Sequence, residues 1–348
     1  GELNYLIGLQ RQTLEYACAF LNYTDADYQT YVGVELFNWL AGRNGSGLDS
    51  DKPVRRFFQE LRLLVSCNNT DKVSALVDFD FDQQYYQHLD DPLFKFAFEP
   101  TKTPAHAQAK ICLILFFELL GFSGYPATVM TPVLGGGSGF SKSLVVAGFK
   151  KSNPWIEYVC PSCDNAFTDS GLGNDEGYTL EHYFPKALYP SICLHPYNLI
   201  PMCSGCNTRK GNNDPLAPID SASNSCCPVA YNEIFHPIKR SVRSKAALEF
   251  VSTSGTEEMV FISTDPTLTY SDSIKAYELL YSIPPRWRLA WKRIDKRIDL
   301  SINSALRIVT ANTTHPLDQH LFEDAVDIAI KDLVNQIGEE HLCYPASQ

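Results

Sequence analysis

Four cysteines are spaced to hold one metal ion. Cys160-Pro-Ser-Cys163 and Cys203-Ser-Gly-Cys206 are two C-x2-C pairs with 39 residues between them. Two-residue spacing lets both thiolates of a knuckle reach one tetrahedral ion at about 2.3 Å, and a second knuckle completes the four ligands. A closed set of four sulfurs predicts a structural Zn2+. The competing account is four unrelated buried cysteines. Cys18, Cys67, Cys112, Cys193 and Cys343 show no such spacing and read as ordinary thiols, and the vicinal Cys226-Cys227 pair suggests no chemistry.

A second group of residues is interleaved with the knuckles. Glu181-His182 lies in TLEHYFPKALYP, Asn198 lies in HPYNLIP, and Asn207, Lys210 and Gly211 lie in CNTRKG directly after Cys206. Each element is weak alone. In this order, between and beside the knuckles, residues 160–211 resemble the HNH endonucleases, the zinc-knuckle branch of the ββα-metal nucleases. Asn207 stands where that motif ends in His or Asn, which makes this an H-N-N variant. Many members carry Asp before the His, so Glu181 is a longer ligand than usual.

The resemblance implies a fold, a reaction and roles. Two strands pack on a short helix that starts at the second knuckle, and the chemistry is metal-dependent hydrolysis of phosphodiester bonds in DNA. A neutral imidazole near pH 7 takes a proton from water, so His182 is the expected general base. A hard cation, Mg2+ or Mn2+, prefers oxygen ligands, and Glu181 and Asn207 are expected to supply them. Asn198, placed on the second strand, is expected to orient the base. Neighbours on a strand point to opposite faces, so 181 and 182 serve one reaction only where the strand bends. Lys210 and Lys186 are candidate phosphate contacts, with solvated surface lysines as the alternative. His195 and His236 read more readily as structural than as ligands.

The elements that must position these residues are legible in part. Apolar residues recur at helical spacing over Leu3–Leu21, Asp25–Leu40, Asp51–Val65 and Pro104–Leu120, the last closed by Gly121. Ala246–Ser252 and Met259–Thr264 flank a Ser-Gly-Thr turn and predict a hairpin. Helices are expected over about 272–281, 285–309 and 317–337. The whole reads as α+β, with a helical region over 1–150, a zinc-bound ββα core over 151–235, and a hairpin-plus-helix region over 236–348.

Charge and composition narrow the function classes. The 348 residues are 45% hydrophobic and 12% aromatic, enough for a packed core and not for a disordered chain. The net charge of -11 argues against coating DNA or an anionic membrane by bulk electrostatics. Residues 236–310 are the exception, with 12 Lys and Arg against 8 Asp and Glu. There Arg286, Arg288, Arg293 and Arg297 surround a Trp287, Trp291, Ile294, Ile298 stripe. The stripe reads as core, and the arginines read equally as a DNA-facing or a solvated surface.

Other classes fall away. GGGSGFSKS (135–143) nearly spells a phosphate-binding loop, but Ser141 stands where Gly must precede Lys142, and the SLVVAGF that follows reads as a strand. A loop or linker is expected instead. The longest apolar stretch, Ile111–Phe122, contains Glu118 and is short of the roughly 20 residues a membrane span needs. No signal peptide is visible, the missing Met suggests a trimmed or tag-derived start, and the free thiols suit a reducing cytoplasm. HNH proteins with long flanks resemble those of bacterial restriction and anti-phage systems, some of which work with an ATPase partner. The competing classes are a non-catalytic zinc module that binds protein or nucleic acid, and an RNase on the same core.

Overall fold

The computed structural model describes residues 2–44, 53–119, 146, 148, 151, 160–163, 178–220, 225–236, 246–253, 256–263 and 271–282. Its architecture is α+β. Six helices come first: α1 (Glu2–Ala19), α2 (Asp25–Val32), α3 (Val34–Asn44), α4 (Pro53–Ser66), α5 (Asn69–Asp82) and α6 (Pro104–Leu119). Strands β1 (Tyr178–His182) and β2 (Leu199–Cys203) follow, and α7 (Ser204–Lys210) continues directly from β2. The short pair β3 (Ile219–Asp220) and β4 (Ser225–Cys226), the hairpin β5 (Ala246–Thr253) and β6 (Thr256–Ser263), and α8 (Ser271–Tyr281) complete the described order. Among the described residues no helix is long and apolar enough to cross a membrane.

Local chemistry explains the helix limits. Thr24 caps α2 by accepting from the Asp27 amide, and Asn68 caps α5 by accepting from the Thr70 amide. The single helix expected over Asp25–Leu40 is two helices. Gly33 sits between them at φ 89°, where a residue with a side chain is strained, and it ends α2 by bonding to the Gln29 carbonyl. Helix α5 was not expected at all. In the stretch read as a strand after the glycine-rich loop, Val146 and Gly148 are helical. Helical periodicity and strand composition overlap in a run as short and apolar as SLVVAGF, and packing decides between them. The glycine-rich segment, Gly121, the helices expected over 285–309 and 317–337, and Arg286, Arg288, Arg293 and Arg297 lie outside the described residues.

Two apolar clusters are formed by the described residues. The first is the helical core, in which Tyr16, Tyr28, Phe57, Phe58 and Phe116 pack ring against ring. Leu180, Cys193, Leu194 and Leu199 belong to this core too, so β1, β2 and the loop joining them are packed into the helical region. The second cluster surrounds the knuckles with Tyr85, Phe94, Tyr183, Phe184, Met202, Tyr231, Tyr277 and Tyr281. Lys72, buried inside the first cluster, donates to the carbonyls of Phe20 at 2.9 Å and Val65 at 3.0 Å. These lie at the C-terminal ends of α1 and α4, where carbonyls lack helical partners.

Candidate functional site

Strands β1 and β2 pair antiparallel, with Glu181 opposite Ile200, His182 opposite Leu199, and Tyr178 opposite Cys203. Cys203 is both the last residue of β2 and the N-cap of α7, its sulfur accepting from the Cys206 amide at 3.4 Å. The second knuckle is therefore the corner between strand and helix. The first knuckle comes alongside, and Cys160 Sγ accepts from the Cys203 amide at 3.4 Å.

The four sulfurs of Cys160, Cys163, Cys203 and Cys206 lie within 4.8 Å of one another. In a tetrahedral Zn2+ site with bonds of about 2.3 Å, neighbouring sulfurs stand about 3.8 Å apart. Cys163 and Cys203 are separated by 3.8 Å. The cluster can thus hold a metal ion such as zinc. Helix α8 braces it from behind, Tyr277 donating its hydroxyl to the Ser162 carbonyl inside the first knuckle at 2.6 Å.

His182 ends β1 and is nearly enclosed, at 6% exposure. Its Nε2 lies 2.9 Å from the Cys193 carbonyl, and its ring meets Phe117 of α6 edge-on at 4.3 Å. A carbonyl can only accept, so Nε2 carries the hydrogen, and in the neutral ring Nδ1 keeps the lone pair. That is the tautomer a base at Nδ1 requires.

Asn198 explains why the Cys193 carbonyl is there. It lies one residue before β2 rather than on it. Its Oδ1 accepts from the Phe184 amide at 2.7 Å, and its Nδ2 donates to the carbonyls of Phe184 and Ile192, both at 3.1 Å. These bonds close the 183–198 loop from within. The expectation that Asn198 orients the base by bonding around its ring is replaced by an indirect arrangement: the amide shapes the loop that carries the carbonyl. The helical region grips the same loop from outside. Asp82 accepts from the Ser191 hydroxyl at 2.6 Å, Gln83 donates to the Ser191 carbonyl at 2.6 Å, and Gln10 donates to the Cys193 sulfur at 3.4 Å.

Glu181 faces the other way, toward α7. Lys210 Nζ is 3.7 Å from its Oε1, and the lysine side chain is fully enclosed while the glutamate side chain keeps 18% exposure. Burial pushes the Glu181 carboxyl up, against the opposing pull of Lys210 and then Lys186. Burial pushes the Lys210 ammonium down to about 8, countered by Glu181. Lys210, named above as a phosphate contact, is thus inside the molecule beside a carboxylate. Lys186 is partly exposed, 3.6 Å from Glu118 and over the Phe117 ring. Asn207 sits on α7 one turn before Lys210, half-buried.

The two other histidines named above, His195 and His236, are built into the core. The His195 ring meets Tyr85 edge-on at 4.8 Å and accepts from the Tyr197 amide at Nδ1, and burial pushes it down to about 4. His236 is enclosed, with Nε2 3.0 Å from the Tyr197 carbonyl. Cys227 is buried and directs its thiol to the Asp272 carbonyl at 3.7 Å, while Cys226 is exposed. Sequence reasoning missed Cys193, Phe117, Ser191, Asp82, Gln83 and Gln10 as parts of the His182 environment. No local spacing signals Gln10, Asp82, Gln83 and Phe117, which come from the helical region, far from His182 in the chain, and Ser191 and Cys193 are brought to it only by the fold of the joining loop.

Comparison of the chain with protein-family models, curated proteins and solved structures finds no match. The functional reading therefore rests on the residues themselves.

Proposed function

We propose that the protein is a metal-dependent endonuclease of the HNH type that hydrolyses phosphodiester bonds in DNA. One observation carries the reading: the Nε2 hydrogen bond of His182 to the Cys193 carbonyl, next to Glu181 at the end of β1, whose partner strand β2 leads through a sulfur-capped corner into α7. A general base needs a fixed tautomer, and this bond supplies it. His182 removes the proton from water at Nδ1. Asn198 keeps the loop, and with it the carbonyl, in register. Lys186, the more exposed of the two lysines, meets substrate phosphate.

Glu181 and Asn207 would hold Mg2+ or Mn2+. Their chemistry fits: a carboxylate and an amide oxygen are hard donors, and the carboxyl that burial pushes up is one that a nearby cation would relieve. When bound, the ion polarises the phosphate and stabilises the departing 3′ oxygen. Zn2+ in the four-sulfur cluster would lock the strand-helix corner and take no part in chemistry. A cytoplasmic setting in bacterial defence, with an ATPase partner, is part of the same proposal.

The test is cleavage. Plasmid DNA and a labelled RNA are incubated with the protein and with His182→Ala, in Mg2+, Mn2+ or EDTA. Nicking that needs metal and disappears in the variant supports the reading. Equal cutting by the variant removes His182 from the role of base, and cutting of RNA alone makes the substrate RNA. The low exposure of His182 favours a second reading, a non-catalytic zinc module that binds nucleic acid. Tight binding by both proteins with no cleavage under any metal decides for it.

A further inference from the structure

The oxygen ligands proposed for the divalent metal bring a single negative charge, and a buried positive charge lies directly beside it. Glu181 is the one carboxylate, Asn207 adds a neutral amide, and Lys210 holds its ammonium 3.7 Å from Glu181 Oε1. The position of that ammonium is set by the fold. Lys210 follows Cys206 by four residues, and both are buried on the face of α7 that packs toward the strands. The helix ends directly afterwards at Gly211, whose φ of 49° turns the chain away. The lysine's other polar contact is the Gly211 carbonyl at 3.4 Å. Enclosed in this way, the ammonium cannot swing out to follow a phosphate on the surface. Lys186 also acts on Glu181 and is itself paired with Glu118 at 3.6 Å, while Asp214 acts electrostatically on Lys210. A divalent cation approaching the carboxylate is attracted by its negative charge and repelled by the ammonium held 3.7 Å from it, which offsets part of that attraction.

We propose that Lys210 is an internal counter-ion that keeps Glu181 from taking a divalent metal in the free protein, so that metal loads only together with a phosphodiester whose anionic oxygen supplies the missing charge. The inference rests on the reading of Glu181 as a metal ligand. Its consequence is order: nucleic acid first or with the metal, and no loaded but idle enzyme. The metal site would then be completed only where there is a bond to cut. A carboxylate without the lysine would load in the absence of substrate.

The experiment measures Mn2+ binding by electron paramagnetic resonance of the free ion at pH 7. It uses the full chain, Lys210→Met, and Lys210→Met with Glu181→Gln, each with and without a short duplex whose linkages resist hydrolysis. Binding to the duplex alone is subtracted. Zinc content and circular dichroism establish that each variant is folded, and Lys210→Gln replaces the Met variant if that one is not. The wild type is expected to bind Mn2+ at least tenfold more tightly with the duplex than without it. Lys210→Met is expected to gain at least tenfold without the duplex, and Glu181→Gln is expected to abolish that gain. Unchanged or weaker binding by Lys210→Met overturns the counter-ion role, even where the wild type cleaves DNA. The full pattern of binding without any cleavage leaves the counter-ion role standing and removes the nuclease reading instead.

Discussion

Replacing Asn198 with Ala should loosen the 183–198 loop and cost the protein a measurable share of its stability. The side chain is wholly buried and makes three hydrogen bonds, one as acceptor to the Phe184 amide and two as donor to the Phe184 and Ile192 carbonyls. A typical intramolecular hydrogen bond contributes about 1 kcal/mol net, and a buried group left without its partner costs about 1–3 kcal/mol. Three such groups lose their partner together, so a loss of about 3 kcal/mol is expected against a total of about 5–15 kcal/mol. Urea denaturation followed by circular dichroism reads the loss directly. Asn198→Asp keeps the acceptor, removes both donors and buries a charge, so it should cost at least as much. Nitrogen NMR of the His182 ring supplies the second readout. If the Cys193 carbonyl withdraws with the loop, the preference for hydrogen at Nε2 should weaken. A loss below about 1 kcal/mol, with the His182 tautomer unchanged, would refute the claim that this amide organises the site.

Three further outcomes follow from the same geometry. Burial holds the Asp82 carboxyl up at about 6 against an ordinary 3.8, so the folded state keeps that proton longer than the unfolded chain does. Its contribution to stability is therefore full below about pH 4 and is lost as pH rises through about 6, by about 3 kcal/mol in all. The difference in unfolding free energy between wild type and Asp82→Asn should show this slope between pH 4 and 7, and a flat difference would contradict the assignment. Chelation of zinc, or Cys206→Ser, should lower the melting temperature and increase proteolysis near residues 160–163 and 203–206. Metal analysis of untreated protein should find about one equivalent of zinc. Lys72→Met removes a buried ammonium from the carbonyls of Phe20 and Val65 and should cost about 2 kcal/mol, measured by the same denaturation.

Features that depend on near neighbours were legible in the chain. Thr24 caps α2 because a short polar side chain reaches the amide three residues on. The expected hairpin forms with Ala246 opposite Ser263, since alternation and a short turn specify pairing locally. The C-x2-C spacing is likewise local, and the four sulfurs do converge. Helix α5 was missed because its Val73, Val77 and Phe81 are exposed while Lys72, Asp78 and Asp82 are buried, which inverts the usual pattern. The split at Gly33 was missed because a glycine is tolerated inside a helical pattern unless its φ is positive.

The residue types able to hold a metal, accept a proton or cap a helix were thus determined by the amino-acid sequence, because each acts over a few bonds. What each group faces was decided by tertiary structure. Gln10, Asp82 and Ser191 meet around one loop although they are up to 183 residues from their partners in the chain. Lys210 reads in CNTRKG as a candidate phosphate contact, and packing of α7 on β1 seals it beside Glu181. Its charge then acts on a carboxylate inside the protein instead of on a phosphate outside it. Burial and the direction of a hydrogen bond are properties of contacts between distant segments, and no spacing along the chain encodes them.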